Sequence, residues 1–593
     1  MGDREQEAGR GSDSRLFSTV PRTQRLHLQL ARRANGGGSP SASSRAPAAL
    51  RNLIICRNIA PVTRGTARRI HDPDVGSLNL AGRIESRKGG GVAGTTIWVL
   101  GDQLDPTGPA FAGHRAGEAR VLLVESDHAI RRLPFNRERR VLVIGAMRRF
   151  AENLRVAGWD VDHRTAATLA AGVLTHAEEH QPDRVVVAHP TSRSGLALTR
   201  RLARALPVPV EVRDPVGFIT RPGELGEILG TRQPRMATFY REMRLRLGLM
   251  VEDDGSPFGG QWSFDQENRK RPPKSRDLGA PPLWLPAADD PLDMALRAEF
   301  AGLPETGAGG ERVMAATSAE AEAALDRFVT ARLEGFGPHQ DAMMDDDWAM
   351  SHAFLSGPLN LGLISPRRVA ERVAEALDDG MPIASVEGFV RQVIGWREYV
   401  WGWYWRRPWR TANELCAEAP VPAALLGAPT RMRCVQVAMD GVEARGYTHH
   451  IQRLMVLGTL MLQRGTEPWR AMQWFRASHV DASAWVMAPN VLGMALFADG
   501  GQMMSKPYAA SGAYIKRMSN HCRSCPYDPG KATGENACPF TTLYWSFLDR
   551  HRERLARNPR MSLSLRNLDR RDDIAEIRLE AEVVGARLDT GDI

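Results

Sequence analysis

The chain of 593 residues contains 43% hydrophobic and 25% charged residues, which is typical of globular proteins with more than one domain. Its longest apolar stretches are interrupted by Arg, Gln or Gly, and this pattern argues against a membrane span. Six cysteines are too few for a secreted disulfide scaffold of this size, so clustered thiols favour metal binding over pairing. Composition therefore excludes a wholly disordered chain, a membrane-embedded protein and a small disulfide-rich one.

The net charge of +9 comes from the front of the chain. Residues 1–94 contain more than twice as many Arg and Lys as Asp and Glu. They are rich in Arg, Ser and Gly and lack a sustained hydrophobic period, which predicts a disordered basic extension. The rest of the chain is close to neutral, so its bulk charge indicates no particular class of partner.

From residue 95 the pattern changes to short apolar runs, separated by segments with apolar residues at helical spacing. Strands that alternate with helices predict a parallel sheet, so residues 95–225 are predicted to form an α/β Rossmann-like domain. The loop "GDQLDPTGPAF" (residues 101–111) follows the first strand, where ligands bind in open α/β folds, and a simple turn is an equally good interpretation. The predicted strand runs are "TTIWVLG", "ARVLLVES", "RRVLVIG" and "DRVVVAH".

The remaining chain divides by composition into three parts. Residues 226–318 include a long stretch rich in Gly, Pro and charge, which predicts a connector that packs on the domains at either side. From residue 319 the apolar residues recur at helical spacing, so residues 319–580 are predicted to form an all-α domain. Residues 581–593 are predicted to be a tail.

Three cysteines, Cys522, Cys525 and Cys538, lie in the stretch "HCRSCPYDPGKATGENACPF". Clustered thiolates suit either a zinc ion or an iron–sulfur cluster, and their chemistry alone leaves both open. Either site needs a fourth ligand from elsewhere in the chain. A purely structural role for the metal is the simpler alternative to a redox role.

Tryptophans are concentrated in "WREYVWGWYWRRPWR" (residues 396–410), which holds five of the fourteen in the chain. The spacing of the first and third is typical of a helix that buries its aromatic face in a core. The alternative interpretation uses Arg406, Arg407 and Arg410, because guanidinium groups beside aromatic rings stack exposed bases and bind the flanking phosphates of DNA.

Two stretches resemble the flavin domain of the photolyase/cryptochrome family, namely "SHAFLSGPLNLGLISP" (residues 351–366) and "GFVRQVIGWREY" (residues 388–399). Two others, in residues 447–455 ("YTHHIQRLM") and 489–519, resemble the prokaryotic iron–sulfur (6-4) photolyase and cryptochrome branch. The resemblance covers residues 95–555. It implies an α/β antenna domain followed by an all-α FAD-binding domain with a [4Fe-4S] cluster.

The resemblance also assigns cofactor ligands. It identifies Cys434 as the distant fourth cysteine and moves the interpretation of the thiols from zinc to a four-iron cluster. Small hydroxyl residues at a helix start suit a pyrophosphate, because their side chains and backbone donate hydrogen bonds. The residues that the resemblance assigns to FAD are Ser351, Leu355, Ser356, Trp396, Arg397, Asn490 and Asp499.

The implied activity is light-driven repair of pyrimidine (6-4) pyrimidone photoproducts by an electron from excited, reduced FAD, with the lesion flipped out of the duplex. His450 matches the family's active-site histidine, and adjacent histidines on a helix point in different directions, so at most one of the pair is expected to act. Tyr508 is expected nearby, and Trp474 matches the tryptophan nearest the flavin. Asp341 is expected to orient the lesion or to hold a cation such as Mg²⁺, and a solvated acidic turn is an equal alternative.

The sequence departs from the family pattern both in the helical domain and in the α/β domain. The residue after Trp474, a tyrosine in relatives, is Phe475, and a tryptophan expected before the first cysteine ligand is Leu426. In the α/β domain, Asp102, Gln103 and Glu125 match a site for the antenna chromophore 6,7-dimethyl-8-ribityllumazine. Two positions that carry Glu and Tyr around the antenna in relatives are Ala129 and Arg132 here, which weakens that match.

The implied partner is UV-damaged DNA, with Arg406, Arg407, Arg410 and Lys506 as its expected contacts. The resemblance further implies a monomer that acts in the bacterial cytoplasm on nucleoid DNA. The alternative function is a cryptochrome-like blue-light photoreceptor with the same cofactors and no repair activity.

Overall fold

The computed structural model describes residues 94–230, 234–275, 278–307 and 309–593. The predicted basic extension lies, apart from Gly94, outside the described residues. Five strands in the described part form one parallel sheet in the order β3-β2-β1-β4-β5. The strands are β1 (Thr95–Val99), β2 (Ala119–Ser126), β3 (Asp160–Ala166), β4 (Arg184–Ala188) and β5 (Val210–Arg213).

Both faces of the sheet are buried. Because strand side chains alternate between faces, Ile97 and Val121 join the large core that continues into the helical part of the chain. Their neighbours Trp98 and Leu122 join a smaller cluster on the opposite face. Burial on both sides is the expected environment of a parallel sheet whose connections are helices.

The run "RRVLVIG" was predicted as a strand, and this prediction is wrong. It lies inside the 20-residue helix Arg137–Val156, whose first turn is capped by the Asn136 side chain accepting from the Glu138 amide. A short apolar run cannot be distinguished from a buried helix by periodicity alone. The helices of this part are α1 (Asp127–Arg131), α2 (Arg137–Val156), α3 (Leu169–His180) and α4 (Arg193–Ala205).

The predicted connector contains regular structure on both sides of an irregular stretch. Its first half crosses beneath the helical part, where the Tyr240 ring packs directly against Gly395. Its second half lies against α2, where Asp293 binds Arg149 at 2.8 Å. The connector therefore contacts both parts. Its helices are α5 (Glu224–Leu229), α6 (Met236–Leu247) and α7 (Pro291–Glu299), with a 3₁₀ turn at Phe258–Gly260.

The remaining described residues are mainly helical, as predicted. Three segments depart from the α-helix into π-helical geometry: Arg391–Arg397, Gln452–Gly458 and Ala488–Ala495. The α-helices are α8 (Ser318–Ala331), α9 (Leu333–His339), α10 (Ser356–Leu361), α11 (Pro366–Glu375), α12 (Ile383–Val390), α13 (Glu398–Arg406), α14 (Arg433–Arg445), α15 (Thr459–Arg464), α16 (Pro468–Ser478), α17 (Ala484–Met487), α18 (Gly512–Met518), α19 (Pro539–Arg550), α20 (Arg552–Leu555), α21 (Ser562–Leu568) and α22 (Ile574–Thr590). The 3₁₀ turns are Ala423–Leu426, His521–Arg523 and Pro559–Met561.

The prediction that residues 581–593 form a tail needs correction. Its first ten residues form the second half of α22, and Val584 and Leu588 are buried. Short apolar side chains among charged ones hid the helical period, while packing against α19 supplies the apolar contact. No helix among the described residues is long and apolar enough to cross a membrane.

One glycine fixes the contact between the sheet and the helical part. Gly362 ends α10 with φ of 80°, and an added Cβ would lie 2.8 Å from a Val216 methyl and 3.1 Å from the Leu104 nitrogen. Just beside it the Leu104 amide donates to the Leu361 carbonyl at 2.8 Å. Only glycine adopts this conformation at so close an approach, which brings the loop after β1 against the first predicted flavin helix.

Candidate functional site

The predicted flavin residues lie in the segments with the least regular helical geometry. Trp396 and Arg397 are in the first π-helical segment, and Asn490 is in the third. His450 lies just before the second. π-helical turns often occur at functional sites because the extra residue redirects side chains. This geometry marks the same region as the sequence motifs.

Backbone conformation gives a second, independent mark. Six non-glycine residues in the described part have positive φ, and three of them flank the predicted flavin residues: Met350, Phe354 and Phe497. Such conformations cost free energy and cluster where a site requires them. Met350 and Phe354 enclose the segment that begins at Ser351, and Phe497 precedes Asp499.

The hydroxyl segment faces inward. Ser351 and Leu355 are buried, and the Ser356 hydroxyl donates to Asp481 at 2.7 Å. Asp481 is in turn bound by Arg453 at 2.8 Å. This places a buried ion pair directly behind the predicted pyrophosphate-binding segment.

Arg397 does not face open space. Its guanidinium donates to the carbonyls of Gly217 at 2.6 Å and Leu359 at 3.2 Å. Burial lowers the pKa of Arg397 to about 10, and Glu398 opposes this shift. Glu398 accepts from the Thr220 hydroxyl at 2.8 Å and from two backbone amides. The Arg-Glu pair therefore links the helical part to the segment that follows β5, while half-buried Trp396 remains beside the predicted flavin site.

Asn490 and Asp499 differ in whether their side-chain oxygens are free to accept a hydrogen bond from a ligand. The Asn490 amide donates to the Val486 carbonyl at 2.9 Å and leaves its oxygen accessible. Asp499 is buried and accepts from the amides of Gly501 at 3.0 Å and Met503 at 2.8 Å. Burial raises the pKa of Asp499 even so. Asp499 thus closes a turn, and Asn490 presents a free acceptor.

The adjacent histidines point in different directions, as the sequence suggested. His449 is fully buried with neither ring nitrogen hydrogen-bonded, and its ring meets that of His352 at 4.8 Å. His450, by contrast, has an exposed side chain. Burial lowers the pKa of His450 to about 4, with Arg453 adding to the shift. The imidazole is neutral at pH 7 and makes no hydrogen bond to a described residue.

Tyr508 and Asp341 form a neighbouring group. The Tyr508 carbonyl accepts from the Thr459 hydroxyl at 3.1 Å, and the pKa of its phenol is raised by burial, with Asp341 as a contributing charge. Asp341 lies half-buried in the turn that follows α9, and burial raises its pKa to about 6. No hydrogen bond among the described residues joins His450 to Tyr508 or Asp341, and Mg²⁺ at Asp341 stays a prediction.

Trp474 is buried, and its indole N–H donates to the Leu425 carbonyl at 2.7 Å. The next residue, Leu426, is 67% exposed. The position at which relatives carry a tryptophan is therefore both adjacent to Trp474 and open to solvent. The Phe475 ring contacts Trp474 at 4.9 Å.

All four predicted cysteine ligands line one cavity. Cys434 lies in the first turn of α14, Cys522 in a 3₁₀ turn, and Cys538 at the N-terminus of α19. Backbone amides of α19 face the Cys538 sulfur and lower its pKa against the effect of burial. Burial and the neighbouring sulfurs raise the pKa of Cys522 to about 12. Without a metal the Cys522 thiol therefore stays protonated at neutral pH, so metal binding there must release a proton.

The spread of the thiols bears on which metal fits. Among the described residues, three metal-ligating side chains have their ligand atoms within 4.8 Å of one another at one place, Asp162, His176 and His180. No three of the four cysteine sulfurs meet this distance, so the sulfurs lie further apart. A tetrahedral zinc ion with Zn–S bonds of about 2.3 Å would hold its sulfurs about 3.8 Å apart. A wider arrangement around a cavity suits a multinuclear cluster better than a single zinc ion.

The predicted antenna residues have unequal roles. Gln103 donates to the Ala188 and His189 carbonyls, both at 3.1 Å, and Glu125 is held by Arg148. Although burial opposes it, Arg148 lowers the pKa of Glu125 to about 2. Both side chains therefore stabilise the sheet edge. Asp102 follows β1 and accepts a hydrogen bond from the Thr191 hydroxyl, which follows β4.

The tryptophan-rich segment is mainly core, which is the simpler of the two interpretations. Trp401, Trp403 and Trp409 are each at most 4% exposed, so their faces cannot stack a base. The guanidinium groups remain at the surface. Arg406 lies over Trp403 at 5.7 Å and is exposed, as are Arg410 and Lys506, while Arg407 is half-buried.

Sequence analysis missed two groups that matter to these sites. His521 lines the cysteine cavity with its Nδ1 bound by Asp345, which is also bound by Arg433 at 3.2 Å. The charges of Arg139 and Arg476 act on one another, and Asp102 also acts on Arg139. Each group joins residues far apart in the chain, so no local pattern signals it. The one usable signal was His521 standing directly before the first cysteine of the cluster.

Comparison with known proteins agrees with this architecture. The family model described as deoxyribodipyrimidine photo-lyase-related protein matches residues 97–297. A (6-4) photolyase of Agrobacterium fabrum is 35% identical over 483 residues, which cover 79% of this chain and 94% of that protein. The chain therefore belongs to the photolyase family.

Two solved structures are also similar. A bacterial class III photolyase from Agrobacterium tumefaciens has a TM-score of 0.49 and 17% identity, and the match covers 86% of this chain and all of that one. A cryptochrome from Synechocystis has a TM-score of 0.48 and 14% identity, over 72% of this chain and 88% of that one.

Proposed function

We propose that the protein is a (6-4) photolyase, which uses light to repair pyrimidine (6-4) pyrimidone photoproducts in DNA. Its relative of 35% identity is named as such an enzyme. The observation that carries the proposal is His450, an accessible imidazole without a hydrogen-bond partner among the described residues, just before the second π-helical segment. An accessible histidine without a protein partner can exchange a proton with a bound base.

The proposed cofactor is FAD. The electron that opens the lesion would be supplied by reduced FAD under blue light. Unpaired polar atoms support a polar ligand here, because the Nε2 atom of His352 and both ring nitrogens of His449 are buried without partners. Ser351 and the backbone around it would bind the phosphates, and the free Asn490 oxygen would accept from the ring.

The chain's own residues account for proton handling. In the free protein His450 is neutral at pH 7, because burial lowers its pKa to about 4. Entry of a flipped nucleotide brings a phosphate close to the imidazole, and a nearby negative charge raises the pKa of a histidine. We infer that His450 takes up a proton when the lesion binds and donates it to the lesion during repair.

Repair of a defined oligonucleotide tests the proposal. Blue light should remove a (6-4) lesion in the presence of the purified holoprotein and leave a cyclobutane dimer in the same sequence intact. His450→Gln should lower the rate of repair by about 100-fold or more, as expected for loss of a general acid. His128→Gln, at an exposed histidine on α1, is the matched control. Full FAD occupancy without repair would overturn the proposal in favour of a photoreceptor.

The proposed DNA contacts are the exposed cations Arg406, Arg410 and Lys506, with Arg407 behind them. Such contacts act on the phosphates rather than on bases, since the tryptophan rings beneath are buried. Binding should therefore weaken with salt, and each replacement by Gln should reduce the slope of log affinity against log salt by about one. An unchanged slope would remove that residue from the interface.

We propose a [4Fe-4S] cluster at Cys434, Cys522, Cys525 and Cys538. Four free thiols around one cavity support it, as does a spacing too wide for a single zinc ion. Anaerobically purified protein should contain four irons per chain and show the broad visible absorption of such clusters. One zinc ion per chain in place of iron would contradict the assignment.

The carboxyl end of β1 beside Asp102 is the proposed antenna site, with 6,7-dimethyl-8-ribityllumazine as the compound that the sequence motif suggests. Support comes from its place at the carboxyl ends of β1 and β4, where ligands bind in such sheets. The proposed site of action is nucleoid DNA in the bacterial cytoplasm, which follows from the proposed substrate. A monomeric state stays a prediction.

A further inference from the structure

Three metal-ligating side chains meet near the amino ends of the strands. Asp162 is the third residue of β3, and His176 and His180 lie in the last turns of α3. One ligand atom of each side chain lies within 4.8 Å of those of the other two. Asp102 follows the carboxyl end of β1, so this group lies at the other end of the sheet from the proposed antenna site.

Two periodicities bring these side chains together. Side chains of a strand alternate between faces, so Asp162 shares one face of β3 with Asp160 and Arg164, and α3 packs against β3. His176 and His180 are four residues apart, about one helical turn, so they lie on one face of α3. His176 is buried, whereas His180 is exposed and leaves the group open to ions from solvent.

The distances are close to those of a metal site. The His176 Nδ1 lies 2.6 Å and the His180 Nε2 lies 3.6 Å from the same Asp162 Oδ2. Around a tetrahedral zinc ion with bonds of about 2.0–2.2 Å, nitrogen and oxygen ligands lie about 3.3 Å apart. The shorter distance is that of a hydrogen bond with a proton between the two atoms. An ion in place of that proton requires these atoms to move by less than about 1 Å.

Contacts behind the ligands fix their orientation, as in metal sites whose outer partners hold the ligands. The Thr96 hydroxyl lies 2.9 Å from the His176 Nε2. Because a hydroxyl can donate or accept, it satisfies this nitrogen whether or not Nδ1 carries the ring proton. Arg164 donates to both oxygens of the Asp162 carboxylate and so fixes its plane.

Arg120 competes with a metal for His180. Its guanidinium donates to the His180 Nδ1, and because a guanidinium only donates, this contact leaves the ring proton on Nε2. A metal at Nε2 requires that proton on Nδ1, so Arg120 must release the ring. Arg120 also pairs with Asp160 at 2.6 Å, and this pair can remain when His180 binds a metal.

We propose that Asp162, His176 and His180 bind one divalent ion of the zinc class, which ties the end of α3 to the edge strand β3. Imidazole suits zinc and neighbouring transition metals, whereas Mg²⁺ prefers oxygen ligands. Arg164 pairs with both Asp162 and Glu179, so one negative charge remains for a cation. The segment "HAEEH" has the His-x-x-Glu-His spacing of some metalloproteases, but its pairing with Arg164 at 2.6 Å keeps Glu179 from acting as a base.

The zinc content of full-length protein tests the site. Wild-type protein and variants are dialysed against the same zinc buffer, and zinc per chain is counted by mass spectrometry. Wild-type protein should retain one zinc ion more than His180→Ala or Asp162→Asn, and excess Mg²⁺ should not displace it. His128→Ala, at an exposed histidine on α1, is the matched control and should retain that ion. The cysteines are unchanged in every variant, so any metal that they hold cancels in the comparison.

Two further variants test the contacts behind the ligands. Thr96→Val keeps the shape of the side chain and should weaken zinc binding by about 10–100-fold, as for other partners behind metal ligands. Arg120→Gln should tighten zinc binding severalfold, because the competing cation is removed. Zinc should also raise the melting temperature of wild-type protein and not that of His180→Ala, since an ion that binds only the folded state stabilises it.

The outcomes that would overturn the site are distinct. Equal zinc content in wild-type protein and His180→Ala would reduce the group to a hydrogen-bonded network of Asp162, His176 and Arg164. Displacement of the additional ion by Mg²⁺ would exclude ligation by imidazole. Weaker zinc binding by Arg120→Gln would exclude ligation through the His180 Nε2. None of these outcomes bears on lesion repair, because the site does not depend on the proposed activity.

Discussion

Replacement of Asp341 by Asn is expected to stabilise the protein at neutral pH. Burial raises the pKa of Asp341 from 3.8 to about 6, so ionisation is harder in the folded protein than in the unfolded chain. A difference of about 2 pKa units corresponds to about 3 kcal/mol. Partial access to solvent reduces this to about 2 kcal/mol.

The sign follows from proton linkage. The folded state binds more protons than the unfolded chain between the two pKa values of Asp341, 3.8 and about 6. The penalty therefore grows as pH rises through this window and is complete above it. The Asn variant has no such penalty, so its advantage should be about 2 kcal/mol near pH 7.5 and close to zero near pH 4.

Urea unfolding followed by tryptophan fluorescence at both pH values measures the effect. Asp379→Asn, at an exposed turn carboxylate, should change stability at neither. A gain of equal size at both pH values, or a loss near neutrality, would refute the reasoning. If the stabilised variant also repairs lesions more slowly, the buried carboxylate is kept for function at a cost in stability.

Two further predictions concern the helical part. Leu426→Trp should accelerate photoreduction of oxidised FAD, because residue 426 is exposed and follows Leu425, whose carbonyl binds the Trp474 indole. Trp474→Phe should abolish this gain. An unchanged rate in transient absorption would exclude electron transfer through residue 426. Glu398→Ala should lower the free energy of unfolding by about 3 kcal/mol or more, since it leaves buried donors of Ile219 and Thr220 unpaired. Glu398→Gln keeps an acceptor and should cost less than half as much in urea titrations; equal costs would contradict the hydrogen-bond account.

Local pattern predicted the parallel sheet and the helical remainder because both rest on hydrophobic period. It failed at "RRVLVIG", where β-branched residues suggested a strand, because a short apolar run does not distinguish a strand from a segment of a buried helix. It failed again at residues 581–593, whose apolar positions are few and become buried against α19 and the 3₁₀ turn Ala423–Leu426. In both places the deciding contact is distant in sequence.

The candidate sites divide in the same way. Spacing brought out Cys522, Cys525 and Cys538, and the structure gathers them with Cys434 around one cavity. Charge clusters such as Arg132 with Arg476 gave no signal, since more than 300 residues separate them and only the docking of α16 brings them together. The resemblance named Arg397 as a flavin contact; its guanidinium donates to the Gly217 and Leu359 carbonyls while its Nε has no partner, so this role stays a prediction.

The role of the cluster can be decided by Cys525→Ala, because the structure provides a second connection between the same elements. Asp345 binds both His521, next to the cysteine motif, and Arg433, next to Cys434. Without the cluster this polar bridge still joins the two ligand segments, so we expect a folded, iron-free protein. If the cluster has a structural role, the double variant Cys525→Ala, Asp345→Asn should unfold, whereas Asp345→Asn alone should stay folded. If Cys525→Ala is already insoluble, the bridge is insufficient and the cluster is indispensable to the fold; if both variants together stay folded and repair DNA, the cluster has neither role.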